Sequence, residues 1–245
     1  MNKIGNYDFV TDPFHVDFNG KLMLSVLGNH CLNCAGFHAT ERGFGIASIN
    51  EENYTWVLSR LAIELNNMPN QYEKFTVRTW VENVYRLFTN RNFAVIDKDG
   101  QTIGYARSIW AMINLNTRKP VDLLSMHGGD IANYICDEPC PIEPPSRIKV
   151  NAQDVVTALT AKYSDIDING HVNSIRYIEH ILDLFPLDIY KAKRISRFEI
   201  AYITESYYGD ELSFFKEETG SNEYGIEIKK NINEVVCRAK INFES

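Results

Sequence analysis

The tetrapeptide Asp17-Phe18-Asn19-Gly20 recurs with a single change as Asp167-Ile168-Asn169-Gly170, each time after an extended segment and before an apolar run of helical spacing. A second match follows in the same order, RLAIELNNMPNQYEKF from Arg60 aligning without gaps on RFEIAYITESYYGDEL from Arg197. The offsets are about 150 and about 137 residues, so the first copy carries about 13 extra residues between its helix and its long strands. Two ordered matches in like context indicate an internal duplication, which restricts the fold to one that half the chain can adopt twice. With 245 residues, two domains of ordinary size fit.

The pattern within each copy is an extended segment, a helix, then several strands. In the first copy the helix is expected over roughly 20–38, followed by WVLSRLAIEL, FTVRTWVENVYRLFTNRNFAVID and QTIGYARSIWAMIN as strand material, with DKDG as a hairpin turn. In the second, SIRYIEHILDLF puts Ile175, Ile178, Ile181, Leu182 and Phe185 on one helical face before Pro186, and FEIAYI, ELSFFKEE, EYGIEIKKN and EVVCRAKINF are strands. One helix against a strongly antiparallel sheet, twice over, is an α+β fold. Pro120, Pro139, Pro141, Pro144 and Pro145 fall in one stretch that reads as a connector. The expected boundaries are a first domain at 1–120, a linker at 121–146 and a second domain at 147–245.

Composition excludes some functions. A formal net charge of −7 argues against general nucleic-acid binding, which needs a basic face. MNKIGNYDFVTDPF has no basic flank leading into an apolar run, and no run of apolar residues is long enough to span a bilayer, so a cytoplasmic protein without stable membrane association is expected. The cysteines number five, and free thiols are the expectation. Cys31 and Cys34 lie within a run of helical spacing and Cys136 and Cys140 in the proline-bearing connector, so zinc is not expected, nor any other cofactor.

Chemistry is most concentrated in DIDINGHVN, residues 165–173. Read as an extended segment, it places Asp167, Asn169 and His171 on one side and Ile166, Ile168, Gly170 and Val172 on the other. Periodicity alone describes a strand with a wet face. A histidine that titrates near neutral pH, a glycine that permits a bend and a helix start whose N–H groups could polarise a carbonyl point instead to a site. The first copy is an internal control: Lys21 stands where His171 would be, and Met68 and Pro69 align with Glu205 and Ser206. Elsewhere, His180 is expected on a solvated helix face, His30 and His38 as satisfied core residues, Tyr177 and Trp110 as packing, and the KAKR run at 191–194 as a solvated turn or a docking spot for an acidic protein.

SDIDINGHVNSIRYIEHILDLFP closely resembles the motif of the acyl-acyl carrier protein thioesterases, a family of tandem hot-dog domains. NYTWVLSRLAIEL, TVRTWVEN and ARSIWAMINLNTRKP resemble that family's first domain. The resemblance implies two hot-dog domains, the first for acyl-chain binding and the second catalytic. It places catalytic residues at Asp167, Asn169, His171 and Glu205. Ser206 falls where many relatives have a cysteine, and is the alternative nucleophile. The implied activity is hydrolysis of a fatty-acyl thioester on acyl carrier protein, terminating fatty-acid synthesis, with the acyl-phosphopantetheine arm as the group recognised and no metal or cofactor. An acyl-CoA thioesterase and a non-catalytic acyl-thioester binder are the alternatives, and a homodimer through exposed sheet edges is compatible with either.

Overall fold

A computed structural model describes residues 2–231 and 233–245 and divides the chain into two compact units, meeting at Pro144 and Pro145. The first contains strand β1 (Ile4–Val10), helix α1 (Leu24–Thr40), the short helix α2 (Ile46–Glu51) and strands β2 (Tyr54–Leu65), β3 (Lys74–Val84), β4 (Thr89–Ile96) and β5 (Thr102–Asn114). Its strands lie in the order β1-β3-β4-β5-β2, antiparallel throughout. The second contains strand β6 (Val155–Thr160), helices α3 (Ser174–Leu182) and α4 (Leu187–Ala192) and strands β7 (Arg194–Tyr202), β8 (Glu211–Gly220), β9 (Glu223–Lys230) and β10 (Glu234–Glu244). Its order, β6-β8-β9-β10-β7, is the same topology over again. Each unit is thus a hot-dog domain, one principal helix laid on an antiparallel sheet.

Burial explains why these segments take these forms. Helix α1 turns Leu24, Leu27, Cys31, Cys34, Ala35 and His38 inward, a 3.6-residue stripe, and strands β3 and β4 answer with buried Phe75, Val77, Phe93 and Val95 at alternate positions. Helix α3 buries Ile175, Tyr177, Ile178 and Ile181. Phe198, Ile200, Phe214, Ile226 and Ile228 are fully or almost fully buried on the strands of that unit. Phe185, expected on the helix, is buried just beyond its end.

The stretch read as a linker behaves otherwise up to Pro144. Leu123 and Met126 pack with Ile49 and Met112, and Cys140 and Ile142 pack on Trp80 and Ala94. Trp80 donates its indole N–H to the Glu138 carbonyl at 2.8 Å, and Arg107 donates to the Cys140 carbonyl at 2.7 Å. The reason is the outer face of the sheet: Trp80 and Ala94 point away from α1 and need an apolar cover. A proline-bearing segment supplies it through side chains and carbonyls without needing a strand's N–H donors.

One buried group gives the fold a pH dependence. His38 has its Nδ1 3.0 Å from the Arg91 guanidinium, and burial, reinforced by Arg91 and Arg42, holds its pKa down to about 3. The native ring is therefore neutral, whereas in the unfolded chain it titrates near 6.5. Stability is full above that unfolded value and is lost progressively as pH falls from it toward the folded one, at up to ~1.4 kcal/mol per pH unit. Urea denaturation at a series of pH values down to about 4 is expected to give a steep acid slope in the native chain and one shallower by about one proton in His38→Gln. Equal slopes would mean that His38 is not the group responsible.

Candidate functional site

Residues 167–170 form a tight turn, not an extended run. The Asp167 amide donates to the His171 carbonyl at 2.8 Å, the Gly170 amide donates back to the Asp167 carbonyl at 3.0 Å, and Ile166 bridges Val172. Gly170 sits at φ 81°, where a β-carbon is disfavoured. One Asp167 carboxylate oxygen accepts the N–H groups of Asn169 and His171 at 2.8 and 3.3 Å. The expectation that Asp167, Asn169 and His171 share one face of a strand is corrected accordingly: an aspartate able to bind its own backbone ahead favours a turn over a strand. Asp167 is committed to holding the turn, Ile168 at its tip is fully exposed, and the exposed Asn169 side chain has no protein partner among the described residues.

The first copy builds the same turn bond for bond. Asp17 accepts the N–H groups of Asn19 and Lys21 at 2.8 and 3.0 Å, and Gly20 has φ 70°. The Leu22 amide donates to the Pro69 carbonyl at 2.9 Å, as Val172 does to Ser206 at 2.8 Å. Lys21 bridges Asn70 as His171 bridges Tyr207. Farther along, Thr11 donates to Glu73 and Ala161 to Asp210. These pairs keep the sequence offsets of both repeats.

The side chains on the two turns differ. His171 Nε2 lies 3.5 Å from Glu205 Oε2, both side chains partly open to solvent. Lys21, in their place, reaches the Met68 carbonyl at 3.4 Å. The Tyr207 ring stands edge-on to His171 with centroids 5.1 Å apart, and its hydroxyl is 3.5 Å from Glu205 Oε2. Lys230, nearly buried, donates to the Glu205 carbonyl at 2.6 Å and lies over the Tyr207 ring. Tyr207 and Lys230 were not singled out by sequence; the only signal for Tyr207 was its place beside the aligned glutamate, and nothing local marked Lys230.

Asp167, Asn169, His171 and Glu205 thus converge in the second unit, whereas Ser206 faces away from solvent. It is fully buried, its hydroxyl bonded to that of Tyr177, so Tyr177 does more than pack. The helix-start donors are mostly committed: Val172, Asn173, Ile175 and Arg176 give their N–H groups to Ser206, Asp165 and Asn173. Nor is His180 solvated. It pairs through Nε2 with the buried Asp165 at 3.1 Å, and Asp165 also accepts from the Lys162 amide and supplies the carbonyl for Asn173. In the first unit, burial raises the Cys31 and Cys34 thiols, Cys34 to about 12, so both stay protonated and inert. Among the described residues no cluster of three or more histidine, cysteine or acidic side chains is placed to hold a metal, and no helix is long and apolar enough to cross a membrane. The first unit also holds an apolar cavity against α1, in the domain expected to bind an acyl chain.

Comparison with known proteins gives a consistent set. The family described as acyl-ACP thioesterase N-terminal domain matches residues 6–126, and its C-terminal counterpart matches residues 148–245. A palmitoyl-acyl carrier protein thioesterase of Arabidopsis thaliana is 26% identical over 210 residues, covering 81% of this chain and 51% of that protein. The chain spans about half the length of the curated relatives it matches. The crystal structure of an acyl-ACP thioesterase from Bacteroides thetaiotaomicron is 74% identical, with a TM-score of 0.95 over 99% of this chain and 98% of that one. The 12:0-ACP thioesterase of Umbellularia californica, 20% identical, shares the fold with a TM-score of 0.87 over 100% of this chain and 98% of that one.

If the two aspartates are turn-formers first, Asp17→Ala and Asp167→Ala should each lower the unfolding free energy by about 1 kcal/mol, the usual worth of such a bond. The corresponding asparagine variants, which keep an acceptor oxygen, should recover most of it. Denaturant titration checks this, and an asparagine variant as unstable as the alanine would show that the turn needs the charge.

Proposed function

We propose that this chain, which belongs to the acyl-ACP thioesterase family, hydrolyses a fatty-acyl thioester carried by acyl carrier protein, releasing fatty acid and the carrier's free thiol. The observation that carries the reading is the His171–Glu205 pair, 3.5 Å apart and partly open to solvent, on a backbone that the first copy reproduces with Lys21 and Met68. A duplicated scaffold that keeps an acid–base pair in one copy alone separates chemistry from folding. The turn itself needs neither histidine nor glutamate.

In the reading offered here, the Asn169 amide, held outward by the turn, donates to the thioester carbonyl and stabilises the oxyanion as it forms. Glu205 takes a proton from water while the water oxygen attacks the carbonyl carbon. The tetrahedral adduct then breaks its C–S bond, and His171 provides a proton to the departing sulfur. Asp167 positions Asn169 and His171 through their backbone N–H groups. Lys230 fixes the Glu205 backbone from below, and Tyr207 confines the histidine ring. Ser206, buried under the Tyr177 hydroxyl, is left as a structural residue.

The tests separate these roles. With purified protein, acyl carrier protein and acyl-CoA substrates of matched chain length are compared, and faster acid release from the carrier-bound thioester is expected. Equal or greater turnover of acyl-CoA would favour the small-molecule alternative, and no release from either would favour a binder. His171→Ala and Glu205→Ala should each lower kcat/KM by at least about a hundredfold, the scale of lost general acid–base catalysis. Ser206→Ala should keep most turnover but lose about 1–3 kcal/mol of stability, because the Tyr177 hydroxyl is left without its partner. An inactive Ser206→Ala, with an acyl-serine detected by mass spectrometry in the native chain, would reassign the nucleophile.

A further inference from the structure

The two copies treat one strand differently. Strand β6 repeats β1 at the offset of the turn, so Val156 stands where the first copy has Asn6, and Ala158 where it has Asp8. In the first unit α1 runs on past the point at which α3 stops, and its last turns cover β1. Tyr7 packs against Phe37 and donates its hydroxyl to Glu41 at 2.8 Å, and a β-carbon on Gly5 would lie 2.7 Å from the His38 ring. In the second unit α3 ends at Leu182, and the chain breaks at Pro186 into α4, whose Tyr190 packs edge-on to Phe243 of β10. The start of β6 is left without that cover: Val155 is 52% exposed and Val156 48%.

Strand β6 is also an edge, paired with β8 on one side and with no strand on the other among the described residues. Ala161, just past its end, donates its N–H to the Asp210 carbonyl and accepts that of Gly209, both at 2.9 Å, so Ala161 faces the β8 side. Backbone groups alternate along an antiparallel strand, so Thr160 and Ala158 turn theirs to the open side. An open edge with apolar side chains is a template for pairing, and charge is the usual means of blunting one. The first copy has that charge at Asp8, exposed and accepting the Thr76 hydroxyl at 2.7 Å; the second has Ala158.

We propose that β6 is the surface through which two copies of this chain associate, the two strands pairing antiparallel about a two-fold axis at Ala158. The charges at the ends of the strand select this occupant and this register. Asp154 and Lys162 are both exposed and enter no ion pair among the described residues, and Ala158 lies midway between them. A two-fold through Ala158 therefore sets the Asp154 of each copy opposite the Lys162 of the other, while the outward N–H and C=O of the two Ala158 residues bond each other. The same pairing covers Val155 and Val156. It rests on the second unit alone and does not depend on the chain being a hydrolase.

Sedimentation equilibrium of the full chain at low ionic strength tests this. A contact one strand wide is at the small end of interfaces, so the mass should rise from 28.1 kDa toward twice that value across the micromolar range. Ala158→Asp, which gives β6 the charge that β1 has, should weaken association at least about tenfold, and both it and the native chain should unfold at the same temperature. Asp154→Lys and Lys162→Asp, which set like charges opposite each other at both ends, should each weaken it by about threefold or more, and the double reversal should restore it. That restoration is particular to the antiparallel register and would not follow from a structural effect of either change. A chain that stays monomeric up to about 200 μM, a dimer indifferent to Ala158→Asp, or a double reversal that restores nothing overturns the proposal. So does a monomer whose Ala158→Asp variant loses turnover of the carrier-bound thioester alone, which would give the edge to the carrier protein.

Discussion

A single carboxylate accepting two N–H groups just ahead of it fixes the tight turn through which each copy of this chain passes before its principal helix. With Asp17 or Asp167 in place, the following glycine can take its positive φ, the chain folds back on itself, and the next residue is delivered to a fixed bridge with the segment at 68–70 or 205–207. The geometry of the candidate site in the second unit hangs on that bridge. It sets His171 beside Glu205, and through the Val172 bond to Ser206 it anchors the segment from which the glutamate projects. The apolar helix faces give each unit its stability, but the turn gives the second unit its geometry.

The duplication shows what the scaffold requires and what it leaves open. Conserved between the copies are the backbone bonds, the turn aspartate and asparagine, and the left-handed positions, including Tyr72 at φ 64° where the second copy uses Gly209 at φ 88°. Free to differ are the side chains that point out from this frame. Lysine and methionine in one copy, histidine and glutamate in the other, sit on equivalent backbone, so the two pairs differ without disturbing a fold-determining contact.

That difference also explains what could be read from sequence. The strands and helices were legible because their apolar periodicity survives in one dimension, and the duplication was legible because its offsets are constant on each side of the helix. A motif marks the four residues at the candidate site but not the shape of the turn: alternation describes a strand, whereas Asp-x-Asn-Gly describes its interruption. The packed stretch before Pro144 was hidden because its cohesion comes from contacts with Trp80, Ala94 and Met112, far away in sequence. Lys230, Tyr207 and the Asp165–His180 pair were hidden for the same reason, each being defined by a partner on another element.

Position 206 shows how close a sealed side chain can lie to one that reaches solvent. Glu205 and Ser206 are adjacent, and adjacent side chains in extended backbone point opposite ways, so one reaches solvent while the other is sealed against α3. The demand on the sealed position is modest: a small side chain able to satisfy the Tyr177 hydroxyl, and a carbonyl free to accept from Val172. A thiol meets it weakly and a hydroxyl meets it well. Serine at a position where the family's cysteine was the alternative nucleophile is then a change of hydrogen-bond strength within the core, which fits the proposed mechanism, in which attack is by water and not by this side chain.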